Sequence, residues 1–193
     1  MGGQASTSAV PRVESFEMDL AVAMRKRRMH RAFEPRPVSE DDLTKLLWAA
    51  SRAPTARAGV RQLLVTSRPD LIRLVREACP GFINNAETIV LVFSDLDLAE
   101  ELLGVRGREL VSRIDSGAAS AYLSLAAPAL GLGLCITTSW SESAVREIFG
   151  LPPRCRPEVL IGVGYPAPTP SPAVKAFPPV IHDSVYGHGW DGG

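Results

Sequence analysis

The chain has 193 residues, of which 46% are hydrophobic and 22% charged, and its 21 basic residues are balanced by 21 acidic ones. These proportions belong to an ordinary globular domain and exclude a disordered, collagen-like or coiled-coil chain, and the length favours one domain. Zero net charge argues against a nucleic-acid partner. The apolar runs near 88–93 and 118–134 are too short or too broken by Gly, Pro and Ser to span a membrane, which takes roughly 20 apolar residues.

Residues 1–12 are small and polar, so they read as a flexible leader rather than a secretion signal, and the expected location is cytoplasmic. Phe16, Leu20, Ala23 and Met24 recur at helical spacing and lead into a basic cluster of Arg25, Lys26, Arg27, Arg28 and Arg31. Ser39 followed by Glu40, Asp41 and Asp42 starts a second helix, with Leu43, Leu46, Leu47 and Ala50 as its apolar stripe and Pro54 beyond its end. Residues 62–67 read as a short strand, Pro69 opens a helix, and the continuous apolar run 88–94 reads as a strand covered on both faces.

No motif is legible over 95–110. From 109 to 130 the spacing predicts one long helix, thinned in its middle by Ser116, Gly117, Ala118, Ala119 and Ser120 so that another backbone can approach closely, and closed by Gly131. A strand over 132–137, a helix from the Ser141 cap to Phe149 and a last strand over 157–164 complete the pattern. Residues 166–193 carry six prolines together with Phe177, Val180, Ile181, Tyr186 and Trp190, the composition of an extended arm lying along a partner subunit.

The three cysteines, Cys79, Cys135 and Cys155, lack CxxC spacing and are expected as reduced, buried thiols with no metal site. Gly131, Leu132 and Gly133 end a helix and start a strand, the reverse of a dinucleotide fingerprint, and no hydrolase, P-loop or kinase motif is present. His30, His182 and His188 have no acid or nucleophile at useful spacing, so an enzyme built on this chain would rely on a bound cofactor. The arginine cluster has two readings: a phosphate grip, for which the guanidinium fork is suited, or a basic helix end that complements the helix dipole.

Five segments in order, RRMHRAF (27–33), VSEDDLTKLLWAASRAPTA (38–56), GLGLCITTSW (131–140), EIFGLP (147–152) and IGVGYP (161–166), resemble the nitroreductase superfamily of FMN-dependent oxidoreductases. The resemblance implies an α+β fold with a central, mostly antiparallel sheet flanked by helices, a long core helix at a homodimer interface and a C-terminal arm exchanged between subunits. It divides the chain into the leader 1–12, an FMN-binding domain 13–165 and the arm 166–193.

Carried over by position, Arg27 and Arg28 match the basic pair whose first member grips the FMN phosphate, and Arg31 matches the cation near flavin N1 and O2. Pro54, Thr55, Ala56 and Ala58 fall in the loop that approaches the ring. Ile136, Thr137, Thr138 and Ser139 form the turn whose backbone, around Thr138, donates to N5, and Lys175 stands for the arm's phosphate ligand. Arg31 and Thr138 are thereby the expected catalytic positions. The chain departs from the family pattern at Met29, where Ser is usual, and over Ala58, Val60, Arg61 and Gln62, where an Asn, a Gln, a Pro and an aromatic residue are usual.

The implied activity is hydride relay from NAD(P)H to a nitroaromatic, quinone or similar acceptor. One alternative is a flavin-dependent dehydrogenase or oxidase of a peptide-derived or other natural-product intermediate, as in the cyclodipeptide oxidase and azoline dehydrogenase branches, with an accessory subunit as partner. A second is a degenerate, non-catalytic family member.

Overall fold

Strands β1 (Arg61–Thr66), β2 (Thr88–Asp95), β3 (Gly133–Thr137) and β4 (Cys155–Gly164) form one antiparallel sheet in the order β1-β2-β4-β3. The computed structural model describes residues 12–168 and 179–190. Six α-helices surround the sheet: α1 (Leu20–Lys26), α2 (Glu40–Ser51), α3 (Pro69–Ala78), α4 (Leu96–Arg106), α5 (Ser112–Ala126) and α6 (Glu142–Phe149).

The apolar run of β2 is explained by helices on both its faces. Val90 and Val92 pack with Leu46 of α2 and Leu123 of α5, whereas Ile89, Leu91 and Phe93 pack with Ile72 and Val75 of α3 and Val145 of α6. All three cysteines are buried, and burial pushes each thiol pKa upward. No helix among the described residues is long and apolar enough to cross a membrane.

Local chemistry sets the helix boundaries. The Ser39 hydroxyl accepts the Asp42 N–H at 3.2 Å, and Ser141 caps α6 in the same way at Ala144. Gly131 (φ 67°) and Gly150 (φ 62°) take the left-handed conformation that stops the preceding helical segments.

Two helical expectations are corrected. Phe16 lies ahead of α1, which begins at Leu20 under an Asp19 cap; Phe16 instead packs on Trp48 with ring centroids 5.9 Å apart. The single helix expected over 109–130 is a composite of a π-turn (Gly107–Val111), α5 and a closing 3-10 turn (Ala127–Leu130). Ahead of the π-turn, the segment without a motif is α4, capped by the Asp95 carboxylate at Leu98 N–H. Only Leu96 and Ala99 of α4 are buried, too few to print a helical stripe on the sequence.

The thin middle of α5 is partly turned inward. Ser112, Ser116, Ser120 and Ser124, four residues apart, are all buried, and each hydroxyl donates to the carbonyl one turn back. The outward small residues are Gly117 and Ala121, between the exposed Ile114 and Tyr122.

Candidate functional site

The basic cluster leaves α1 as extended chain and docks on the free edge of β3. Arg27 is the C-cap, Met29 bridges Leu134 in parallel, and the His30 N–H donates to the Leu134 carbonyl at 2.9 Å. Downstream, Asn85 clamps Phe33 from both sides: its Oδ1 accepts the Phe33 N–H at 2.7 Å and its Nδ2 donates to the Phe33 carbonyl at 2.9 Å. The Glu34 N–H donates to the Tyr165 carbonyl at 2.8 Å and the Ala167 N–H to the Ala32 carbonyl at 3.1 Å, so the segment is fixed over its whole length.

Extended chain sends alternate side chains to opposite sides. Met29 and Phe33 pack with Cys135 and Ala86, and the Arg31 charge acts on the Cys135 thiol. Arg28 and His30, with Lys26, line a cavity of about 240 Å³ on the other side, against Ser124, Ala127 and Leu134.

His30 presses on Gly133, where an added Cβ would lie 2.5 Å from His30 Nδ1, and that nitrogen is buried without a hydrogen-bond partner. Burial first, and then the Arg28 charge, lower the His30 pKa, favouring its neutral form. Among the described residues no acid lies within ion-pair distance of Arg25, Lys26, Arg27, Arg28 or Arg31, in contrast to Arg36, Lys45, Arg68 and Arg154, which are all paired.

The exit of β3 lies on the same edge of the sheet. Ile136 packs into the layer of α2 and α5, and Thr137 is buried with its hydroxyl donating to the Gly81 carbonyl at 3.3 Å. Thr138 and Ser139 are exposed. The Gly81 N–H donates to the Ser139 carbonyl at 3.3 Å, and a Cβ at Gly81 would sit 2.8 Å from that oxygen, so only glycine allows this close hold.

Pro54, Thr55, Ala56 and Ala58 are all exposed, yet their loop is tied to the core. The Asp115 carboxylate on α5 accepts the Ala56 N–H at 2.9 Å and the Thr55 hydroxyl at 3.0 Å. Arg61 donates to the carbonyls of Pro54 and Asp115, both at 2.9 Å, and to those of Ala50 and Ala53 at 3.3 and 3.2 Å. Val60 is buried, and Gln62 turns back to donate to the Gly59 carbonyl at 3.0 Å.

The expected site residues therefore fall into two groups at opposite edges of the sheet. Arg61 pairs with Ser94, which pairs with Arg156 near the start of β4, whereas Leu134 pairs with Val163 near its end. Thr137, at the exit of β3, pairs with Leu160, so the two groups are separated chiefly by the three strand spacings across the sheet, about 14 Å. Residues 27–31 and 136–139 lie along the β3 edge, and residues 54–58 lie at the β1 edge. Lys175 lies outside the described residues.

Sequence reasoning missed Asp115, Asn85 and Gly81, and treated Arg61 only as a departure. An acid on the inner face of a helix was the one available signal for Asp115; Asn85 and Gly81 act through partners more than 50 residues away and leave no local pattern. Among the described residues no group of three or more His, Cys, Asp or Glu is placed to hold a metal ion.

Comparison with known proteins gives consistent results. A family model described as Nitroreductase family matches residues 24–87 and 60–165. A protein of Thermus thermophilus named NADH dehydrogenase is 30% identical over 180 residues, covering 78% of this chain and 88% of that protein. Among solved structures, an FMN-dependent nitroreductase from Clostridium difficile superposes with a TM-score of 0.64 at 24% identity, over 79% of this chain and 90% of its own. The NADPH:FMN oxidoreductase of Vibrio harveyi, solved with NAD+, has a TM-score of 0.71 at 20% identity, covering 86% and 77%. At these identities the two structures bear on the fold alone.

Proposed function

Because the chain belongs to the nitroreductase family, we propose that it is an FMN-dependent oxidoreductase that takes a hydride from NAD(P)H and passes it to a nitroaromatic, quinone or similar acceptor. The observation that carries this reading is the strip of cations without acidic partners along the free edge of β3, beside the exposed turn at Thr138 and Ser139. This donor set fits a phosphate-bearing flavin, and the Gly81 contact holds the neighbouring turn in shape. The name of the Thermus thermophilus relative, an NADH dehydrogenase, supports the same donor class.

In this reading Arg27 binds the phosphate, a charge-assisted bond for which its fork is suited. Arg31 provides a fixed cation at the pyrimidine end of the ring, where negative charge accumulates on reduction. The backbone N–H of Thr138 orients the ring edge. Bound FMN supplies the two-electron hydride chemistry itself. None of these roles asks a side chain to gain or lose a proton.

The separation of the two groups across the width of the sheet favours a second copy of the chain as the source of the loop 54–58. Leu20 (59% exposed), Met24 (54%), Ile114 (58%) and Tyr122 (41%) leave an apolar band beside a cavity of about 720 Å³ between α1, α2 and α5. Asp115 and Ala127 lie 12 residues apart on the chain, about 18 Å along a helix axis. An isologous dimer packing α5 antiparallel to its mate would carry the Asp115 end of one copy, with its loop, to the basic strip at the other end of its partner. The exposed Val180, Tyr186 and Trp190 suit an arm laid on that second copy.

The first test is the visible spectrum of purified protein before and after FMN addition and desalting, followed by anaerobic NADH or NADPH. Retained flavin peaks that bleach with a nicotinamide are expected. Retained flavin that neither nicotinamide reduces would overturn the reductase assignment, and no flavin uptake would overturn the cofactor.

A further inference from the structure

We infer that Asp115 and Arg61 are positioning residues that present the main chain of Thr55 and Ala56 to the flavin ring, a role that rests on the flavin reading above. The loop 54–58 is fully at the surface, where a connecting segment ordinarily needs no buried support. Here it has two. Asp115 is only 7% exposed, and its Oδ2 receives both the Ala56 N–H and the Thr55 hydroxyl. Arg61 spends both terminal nitrogens on carbonyls: Ala50 and Ala53 at the C-terminal end of α2, Pro54 in the loop and Asp115 on α5. Ala50 lies in the last turn of α2 and Ala53 just beyond it, so one guanidinium fastens the end of α2, the loop and α5 together.

Placing a carboxylate and a guanidinium inside the fold costs desolvation, so the pair is a poor device for stability alone and a good one for fixing geometry. The substitutions in this loop give the device a purpose. Ala58 carries no polar group and Val60 is buried, so the ring-contacting side chains that the family resemblance implies at these positions are missing. What the loop still offers a ring is its backbone and the Thr55 hydroxyl, and groups of that kind work only when held still. Arg61, at the position where Pro is usual in the family, supplies by hydrogen bonding a rigidity that Pro would supply covalently.

The test uses the full-length protein with three variants. Asp115→Asn keeps the shape but removes the charge, Arg61→Lys keeps the charge but removes the fork, and Thr55→Val removes only one hydroxyl bond. FMN affinity from fluorescence titration of apo-protein, the bound-flavin spectrum and the flavin midpoint potential are read beside the apo-protein melting temperature. Asp115→Asn is expected to raise the FMN Kd about tenfold, the scale of one charge-assisted bond, and to shift the bound-flavin spectrum and midpoint. Arg61→Lys should move the same readouts in the same direction, and Thr55→Val less. A fall in melting temperature with FMN affinity, spectrum and midpoint unchanged would reduce the pair to a structural tie and overturn the inference. Thr55→Val, nearly isosteric at an exposed position, keeps the test available if Asp115→Asn does not fold. If the wild-type protein takes up no FMN at all, the flavin reading fails first and the inference falls with it.

Discussion

Met29 and Arg31 face Cys135 on one side of an extended segment, and Arg28 and His30 line the cavity on the other, so four neighbouring residues serve two surfaces. Arg28 lies with His30 in the cavity on the other side, which leaves Arg27 as the proposed phosphate ligand. Arg27→Ala is expected to raise the FMN dissociation constant roughly 10- to 150-fold, the equivalent of 1.5–3 kcal/mol for a hydrogen bond between charged groups. Titration of apo-protein with FMN checks this, and an unchanged constant would remove Arg27 from the phosphate site. The arginine cluster was fully legible in the sequence as a concentration of charge, but its two sides became distinct only when Met29 bridged Leu134. The direction in which a side chain leaves an extended strip depends on what the strip pairs with, and that partner is more than 100 residues away.

Among the elements, α5 connects the most parts of the molecule. Its inner face supplies Ala119 and Leu123 to the core and the serine ladder to the sheet, its fourth residue holds the loop 54–56, and its outer face carries Ile114 and Tyr122. Leu123 is fully buried among residues of α2, β2 and β4. Leu123→Ala should destabilise the protein by about 2–5 kcal/mol, the range for a buried leucine truncated to alanine; chemical denaturation measures it, and a cost below about 1 kcal/mol would mean that α5 is not central to the core. The period of α5 was readable because one face is apolar. The π-turn before it was not readable, since it depends on contacts rather than on residue type: Gly107 sits where an added Cβ would lie 2.5 Å from the Ala99 carbonyl oxygen.

Across the whole molecule, the two groups of candidate residues occupy opposite edges of one sheet, and an apolar band with an adjacent groove lies on the α1 and α5 surface. The dimer proposed from these two observations is open to direct test. Light scattering coupled to gel filtration is expected to report twice the 20.7 kDa chain mass. Tyr122→Arg, which places a charge in the centre of the band, should shift the protein toward monomer and weaken FMN retention together. A monomeric wild-type protein that retains FMN would refute the two-copy site.

Most of the helices, all four strands of the described residues and the family were legible in the chain alone, because these depend on local chemistry: caps at Ser39 and Ser141, stops at Gly131 and Gly150, an apolar run at β2, and motifs read in order. The sequence also located the residues 27–31, 54–58 and 136–139 as separate segments. Only the tertiary structure decided how those segments are held and which of them meet. Strand order, register and the side-chain ties from Asn85, Gly81, Asp115 and Arg61 all join residues distant in sequence, and such pairings are selected by the packing of the whole fold rather than by any property that neighbouring residues carry.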